Sequence, residues 1–160
     1  MFRYVVGIGS NVNPVANVSR LLSRLMDMTD FLAVSRIIET TPEGFQSDNQ
    51  FLNLVVCMDS PLDNAGLKGE FVRLEVEMGR DRDDSQSSKK DRPADLDILF
   101  RLPAIDLPPE PYLRPLAIEL LNDLGFATDE SPDYRDFKTV TLEFEEQTIG
   151  QDTVVLKGEI

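Results

Sequence analysis

The chain has 160 residues, the length of one domain, and its 41% hydrophobic and 28% charged composition suits a globular protein with a buried core. Histidine is absent, which excludes Ser-His-Asp triads, Cys-His nucleophiles, His-built zinc sites and imidazole acid–base catalysis, and the single cysteine, Cys57, excludes an internal disulfide. That sparing use of cysteine is the habit of a cytoplasmic protein, and sixteen basic against twenty-nine acidic residues give a net charge of -13, which argues against nucleic acid or an anionic membrane as the main partner.

Phe2 to Gly9 is β-branched and aromatic and reads as a buried first strand. Asn11 to Pro14 makes a turn into a helix running to about Met28, with Val18, Leu21, Leu22 and Leu25 on one apolar face. Phe31 to Thr40 reads as a second strand, Thr41 to Gln50 as a loop, and Phe51 to Met58 as a third strand in which Cys57 is core filler. Leu62 to Met78 has helical spacing, with Leu67, Phe71, Leu74 and Met78 in one stripe and Gly79 placed to cap it. A charged loop, Arg80 to Asp91, leads to a fourth strand, Asp95 to Phe100. Strand, helix, strand, strand, helix, strand is the βαββαβ order of ferredoxin-like α+β folds, an antiparallel sheet with helices on one face. Beyond it the sequence predicts a proline-stiffened connector, a helix over Pro115 to Leu124, a loop over Ala127 to Phe137, and a terminal hairpin made of 140–144 and 153–156. The expected organisation is one domain over 1–160: a core over 1–101 and an acidic extension over 102–160, which carries thirteen Asp/Glu against four Lys/Arg.

The sharpest local feature is Asp95-Leu96-Asp97-Ile98 on the fourth strand, where alternation sends both carboxylates to one face. Paired carboxylates repel unless a cation or arginine compensates them, and magnesium commonly takes one or two carboxylates with phosphate oxygens and water. Arg80, Arg82, Lys89, Lys90 and Arg92 crowd the preceding segment, which suits a Mg-nucleotide; the competing readings are a solvated strand face and a plain ion pair of the acids with Arg92. Gly7-Ile8-Gly9-Ser10-Asn11 lacks the third glycine of a dinucleotide fingerprint and reads as a tight turn at a strand end.

Four blocks in order make the chain resemble the 6-hydroxymethyl-7,8-dihydropterin pyrophosphokinases (HPPK) of folate biosynthesis. They are Gly9-Ser10-Asn11 with Pro14; Thr41-Pro42-Glu43-Gly44 leading to Phe51-Leu52-Asn53; Glu75 followed by Gly79-Arg80-Asp81-Arg82; and Arg92-Pro93-Ala94-Asp95-Leu96-Asp97-Ile98-Leu99. The resemblance implies a ferredoxin-like core and transfer of a pyrophosphoryl group from ATP to a pterin alcohol. It implies Mg2+ on Asp95 and Asp97, nucleotide contacts from Glu75, Arg80, Arg82 and Arg92, and catalytic roles for Arg82 and Arg92. Thr41, Pro42, Glu43, Gly44, Phe51 and Asn53 would then bind the pterin, with Phe51 stacking on the ring and Asn53 bonding its edge. Charge neutralisation and positioning dominate such transfers, so the lack of histidine is no obstacle.

The pattern departs from the family after residue 100. A proline–histidine motif, an arginine and a phenylalanine are expected there, whereas Glu110-Pro111-Tyr112-Leu113-Arg114-Pro115-Leu116 is shorter and places Glu110 at the histidine. Tyr112 or Phe126 is a candidate second aromatic, and Arg114 a candidate for the missing arginine. The rival readings are a divergent member that binds pterin or nucleotide with weak or no catalysis, and an acidic α+β interaction module. The expected partners are small molecules, pterin and ATP, with no nucleic acid and no membrane; the oligomeric state is left open.

Overall fold

The computed structural model describes residues 1–41, 49–80, 91–126 and 128–159. Its elements are β1 (Phe2–Ser10), α1 (Pro14–Met28), β2 (Leu32–Val34), β3 (Ile38–Thr40), β4 (Phe51–Ser60), α2 (Asn64–Glu77), β5 (Asp95–Leu102), α3 (Arg114–Asp123), β6 (Lys138–Thr139), β7 (Leu142–Phe144), β8 (Gln147–Ile149) and β9 (Val154–Lys157). The architecture is α+β. Among the described residues the main sheet is antiparallel at every pairing and runs β5-β1-β4-β2-β9, with β3 on β4 and β6 on β3. No helix among the described residues is long and apolar enough to cross a membrane.

Alternation in the strands divides the core between two faces. Tyr4, Val6 and Ile8 of β1 and Leu54, Val56 and Met58 of β4 meet Val18, Leu21, Leu22 and Leu25 of α1 and Leu67, Phe71 and Leu74 of α2. Val5, Val55 and Cys57 face the other way, onto Leu116, Ala117, Leu120 and Leu121 of α3. The two long helices therefore share one face, as expected, and α3 covers the other. Cys57 is fully buried, and burial pushes its thiol up to about 12, so it is packing and not a nucleophile.

The expected second strand is divided into β2 and β3. Val55 N–H donates to Ser35 Oγ at 2.8 Å, so a side chain replaces a backbone acceptor there. The backbone of Ile37 is engaged by the C-terminal region: its N–H donates to the Gly150 carbonyl at 2.8 Å and its carbonyl accepts Val140 N–H at 2.9 Å. The C-terminal pairing also differs from expectation. The partner of 142–144 is β8, whereas the 154–157 segment leaves the hairpin and adds to β2 at the edge of the main sheet. The turn between β7 and β8 is Glu145-Glu146, both at positive φ (47° and 67°), so it lacks the Asn-Gly signature that marks such turns in a sequence. Nor do Gly7 and Gly9 form a turn. Both lie inside β1, paired with β4 and β5 at once, and the turn begins after Ser10.

The bounds of α2 have local causes. Asp63 caps its start by accepting Gly66 N–H at 2.9 Å. At its end Gly79, at φ 104°, lets Gly79 N–H reach the Val76 carbonyl at 3.0 Å and Arg80 N–H reach the Glu75 carbonyl at 2.9 Å. This is the paired closure of a Schellman motif, and it sets where Arg80 leaves the helix.

Candidate active site

The site begins with register. Val5 pairs Phe100 but Val6 pairs Ile98, so Leu99 is an extra residue bulged out of β5. Beyond the bulge Gly7 lies opposite Asp97 and Gly9 opposite Asp95, while on the other side of β1 Gly9 lies opposite Asn53. Leu96 and Ile98 turn into the α1/α2 core, which leaves Asp95 and Asp97 on the α3 side. Asn53, Gly9 and Asp95 thus form one row across three strands, with nothing projecting from the middle position. A Cβ at Gly9 would sit 3.0 Å from Asn53 Oδ1 and 3.6 Å from Phe51 Cδ1, so glycine is what keeps this floor open. Over it opens a pocket lined by Thr40, Thr41, Phe51, Asn53, Arg92, Asp95 and Tyr112. Asn53 Nδ2 donates to Thr40 Oγ1 at 2.6 Å, which fixes the amide's orientation inside the pocket.

The acids and arginines form a chain of contacts at one end of the pocket. Glu75, fully buried on α2, accepts Leu96 N–H at 2.8 Å and Arg80 Nη1 at 3.1 Å. It thereby satisfies a backbone donor on the open edge of β5. The same Arg80 Nη1 donates to Asp95 Oδ1 at 3.0 Å, and Arg92 Nη1 donates to Asp95 Oδ2 at 3.2 Å. Asp95 is therefore clamped by two guanidiniums, and the ion pair with Arg92 that served as the bland reading is present. Arg80 Nε is buried with no hydrogen-bond partner among the described residues.

Asp97 keeps its tip in solvent but loses hydration to the walls of the cleft. Burial first, then the charges of Asp95 and Glu75, push its carboxyl up to about 6, against the opposing pull of Arg80 and Arg92. Three neighbouring carboxylates, two of which raise the third, are an arrangement that an added cation relieves. Among the described residues no group of three or more acidic, His or Cys side chains is placed to hold a metal ion. A magnesium ion here would therefore have only Asp95 and Asp97 from the protein and would need phosphate and water to complete its shell.

Of the residues anticipated from the sequence, the structure brings together Thr41, Phe51, Asn53, Glu75, Arg80, Arg92, Asp95 and Asp97. Pro42, Glu43, Gly44 and Arg82 lie outside the described residues. Tyr112, not Phe126, reaches the pocket; Phe126 packs with the α3 cluster. Arg114 does not join the site. Its guanidinium holds Glu130 at 2.6 and 2.8 Å and the Pro108 carbonyl at 3.3 Å, in a separate groove along α3. Glu110 is half-buried and does not line the pocket, although Tyr112 two residues later does.

The family described as 7,8-dihydro-6-hydroxymethylpterin-pyrophosphokinase (HPPK) matches residues 5–120, from β1 into α3. The chain belongs to the HPPK family. Two relatives from strains of Porphyromonas gingivalis, each named 2-amino-4-hydroxy-6-hydroxymethyldihydropteridine pyrophosphokinase, are 31% identical over 133 residues, covering 75% of this chain and 88% of each relative. The HPPK match leaves the hairpin and β9 beyond the matched region.

Sequence reasoning passed over three contributors. Asn11 was legible only as part of a block; its side chain is 2% exposed and accepts Arg92 N–H at 2.6 Å. Gly9 had been read as a turn. Thr40 stood beside the anticipated Thr41, and only the pairing of β3 with β4 reveals that it holds Asn53.

Proposed function

We propose that this HPPK-family chain is a magnesium-dependent enzyme that transfers pyrophosphate from ATP to 6-hydroxymethyl-7,8-dihydropterin, a step of folate biosynthesis. The observation that carries the reading is the Asn53–Gly9–Asp95 row, which joins an aromatic, amide-bearing pocket to two arginines and two carboxylates across an open glycine floor. In the reaction the pterin's hydroxymethyl oxygen bonds to the β-phosphorus of ATP. The bond from that phosphorus to the bridging oxygen of the α-phosphate breaks, AMP leaves with the electron pair, and the hydroxyl proton passes to solvent.

Phe51 and Tyr112 supply faces on which a flat heterocycle stacks, and Asn53, held by Thr40, offers hydrogen bonds to its edge. Thr41 lines the same pocket; the parts assigned to Pro42, Glu43 and Gly44 rest on the family resemblance. Arg80 and Arg92 turn their forks from Asp95 to phosphate oxygens, where charge-assisted hydrogen bonds are strongest. Arg82 takes a catalytic part beside Arg92 on the resemblance alone. Glu75 anchors Arg80 from beneath. Asp95 and Asp97 would hold Mg2+, which would supply positive charge to the phosphate oxygens. The fold reading is a ferredoxin-like βαββαβ core, supported by the sheet order β5-β1-β4-β2 with α1 and α2 on one face. Residues 1–160 are read as one domain of a cytoplasmic enzyme, since β9 completes an edge of the main sheet and Leu142, Phe144 and Ile149 join the core.

The test is AMP formation from ATP, with and without the pterin alcohol and magnesium. AMP that appears only when all three are present supports the reading. Its absence, with the protein folded, defeats the reading in favour of a ligand-binding relative without catalysis.

A further inference from the structure

Asp91 uses both carboxylate oxygens to join two parts of the chain. Its Oδ1 accepts Asn11 Nδ2 at 2.8 Å, from the turn after β1, and its Oδ2 accepts Asn49 Nδ2 at 2.8 Å, from the residues entering β4. Asn11 cannot reverse its amide, because its Oδ1 accepts Arg92 N–H at 2.6 Å while its own backbone N–H donates to the Arg92 carbonyl at 3.0 Å. Arg92 in turn reaches Asp95, and two residues beyond Asn49 stands Phe51 of the pocket. Hydrogen bonds therefore link Asp95 to the Arg92 side chain and the Arg92 main chain through Asn11 and Asp91 to Asn49, from which the chain itself leads two residues on to Phe51 of the pocket.

We propose that Asp91 is a positioning residue that couples the two halves of the site, so that occupancy of the arginine end and occupancy of the aromatic end strengthen each other. The proposal rests on the functional reading above and adds how its halves communicate. The chemistry calls for a carboxylate at this position. Both neighbours present amide N–H groups, and an asparagine at 91 would set one NH2 against another. Asn11 grips the Arg92 main chain at both its N–H and its carbonyl, so a ligand that draws the Arg92 side chain toward phosphate reaches Asp91 through any accompanying strain on that main-chain grip. By linkage the aromatic ligand changes the affinity of the polyphosphate by the same factor as the polyphosphate changes that of the aromatic ligand.

The experiment measures pterin binding by fluorescence, with and without magnesium and a non-hydrolysable ATP analogue, in the parent, Asp91→Asn, Asn49→Ala and the double variant. The parent is expected to bind pterin more tightly when the analogue is present. Each single variant should lower that enhancement by about fivefold or more, the smaller end of ordinary allosteric coupling. The double variant should lower it no further than either single change, because the path is already cut. Affinity for each ligand alone and the melting temperature should stay near the parent's, which separates positioning from general structural damage. An enhancement that survives in both single variants overturns the proposal, as does a parent that binds both ligands without enhancement. If the parent binds neither ligand, the functional reading fails, and the positioning claim is read without ligand from hydrogen exchange at Arg92 N–H. Asp91→Ala should then speed that exchange by about tenfold while the amides at the centre of β1 stay protected. Unchanged exchange at Arg92 overturns the claim.

Discussion

At Gly9 a single hydrogen atom in place of a methyl group sets the depth of the pocket. Alanine there would press on Asn53 Oδ1 at 3.0 Å while meeting the Phe51 ring at ordinary contact distance, and overpacking of this kind costs about 1–3 kcal/mol. Gly9→Ala is therefore expected to weaken pterin binding by an amount of that order in a fluorescence titration. Gly7→Ala, whose Cβ would meet only Leu113 and Leu99 methyls at 3.5 Å, should leave pterin affinity unchanged. Asp97 makes a prediction in pH. Its carboxyl is raised from 3.8 to about 6, so the folded state holds that proton more tightly than the unfolded chain does. The contribution of Asp97 to stability is thus least unfavourable below pH ~4 and worsens as pH rises through 6, where the folded protein must carry the charge. In chelator, Asp97→Asn should melt above the parent at pH 7–8, with the gap closing toward pH 4. Magnesium should raise the parent's midpoint and leave the variant's in place. A parent that melts at or above the variant at pH 7–8 in chelator would show that Asp97 carries no charge penalty. These residues were unequally legible: two aspartates at spacing two on a strand announce a shared face, whereas a glycine in a strand says nothing of what it makes room for.

Among the elements, the end of α2 has the most direct functional consequence. Gly79 at φ 104° closes the helix and hands the chain to Arg80, whose guanidinium bridges Glu75 and Asp95. Alanine is strained in that backbone region, at a cost of about 1 kcal/mol or more. Gly79→Ala should lower the melting temperature by roughly 2–4 °C, the usual scale for a chain of this size. It should also weaken binding of the magnesium–ATP analogue, because Arg80 is displaced; unchanged nucleotide affinity would detach Arg80 from the nucleotide. The helices and longer strands were legible because their apolar periods are unambiguous: Val18, Leu21, Leu22 and Leu25 mark one helical face and β4 is a nearly continuous apolar run. The shorter strands were not. The division at Ser35 depends on a hydroxyl entering the ladder, and β8 went unnoticed because Gln147-Thr148-Ile149 is too short and polar to stand out. Its true partner was assigned to a later segment, Val154 to Lys157, which reads as a strand equally well and finds its place on β2.

For the molecule as a whole, the sheet separates two tasks. One face is covered by α1 and α2 and is core throughout, while the other is shared between α3 and the site. At the site end of that face, glycines, an asparagine and aspartates replace the large apolar residues found toward α3, which is why a pocket opens there. The acidic C-terminal third, a candidate interaction surface in sequence, is in part structural: Arg36 pairs with Glu119 at 3.1 Å and lies over the Tyr134 ring at 4.3 Å, tying α3 and the following loop to the sheet. Arg114 belongs to the same structural group through Glu130, so its resemblance to a site arginine ends at the sequence. The central claim is that this one face aligns a pterin alcohol with the β-phosphorus of ATP. The most direct measurement is phosphorus-31 magnetic resonance of the chain incubated with ATP, magnesium and 6-hydroxymethyl-7,8-dihydropterin. AMP and a pterin ester carrying two coupled phosphorus atoms are expected in equal amounts, both lost in Asp97→Ala. ADP with a singly phosphorylated pterin, or ATP left intact by the folded protein, would contradict it.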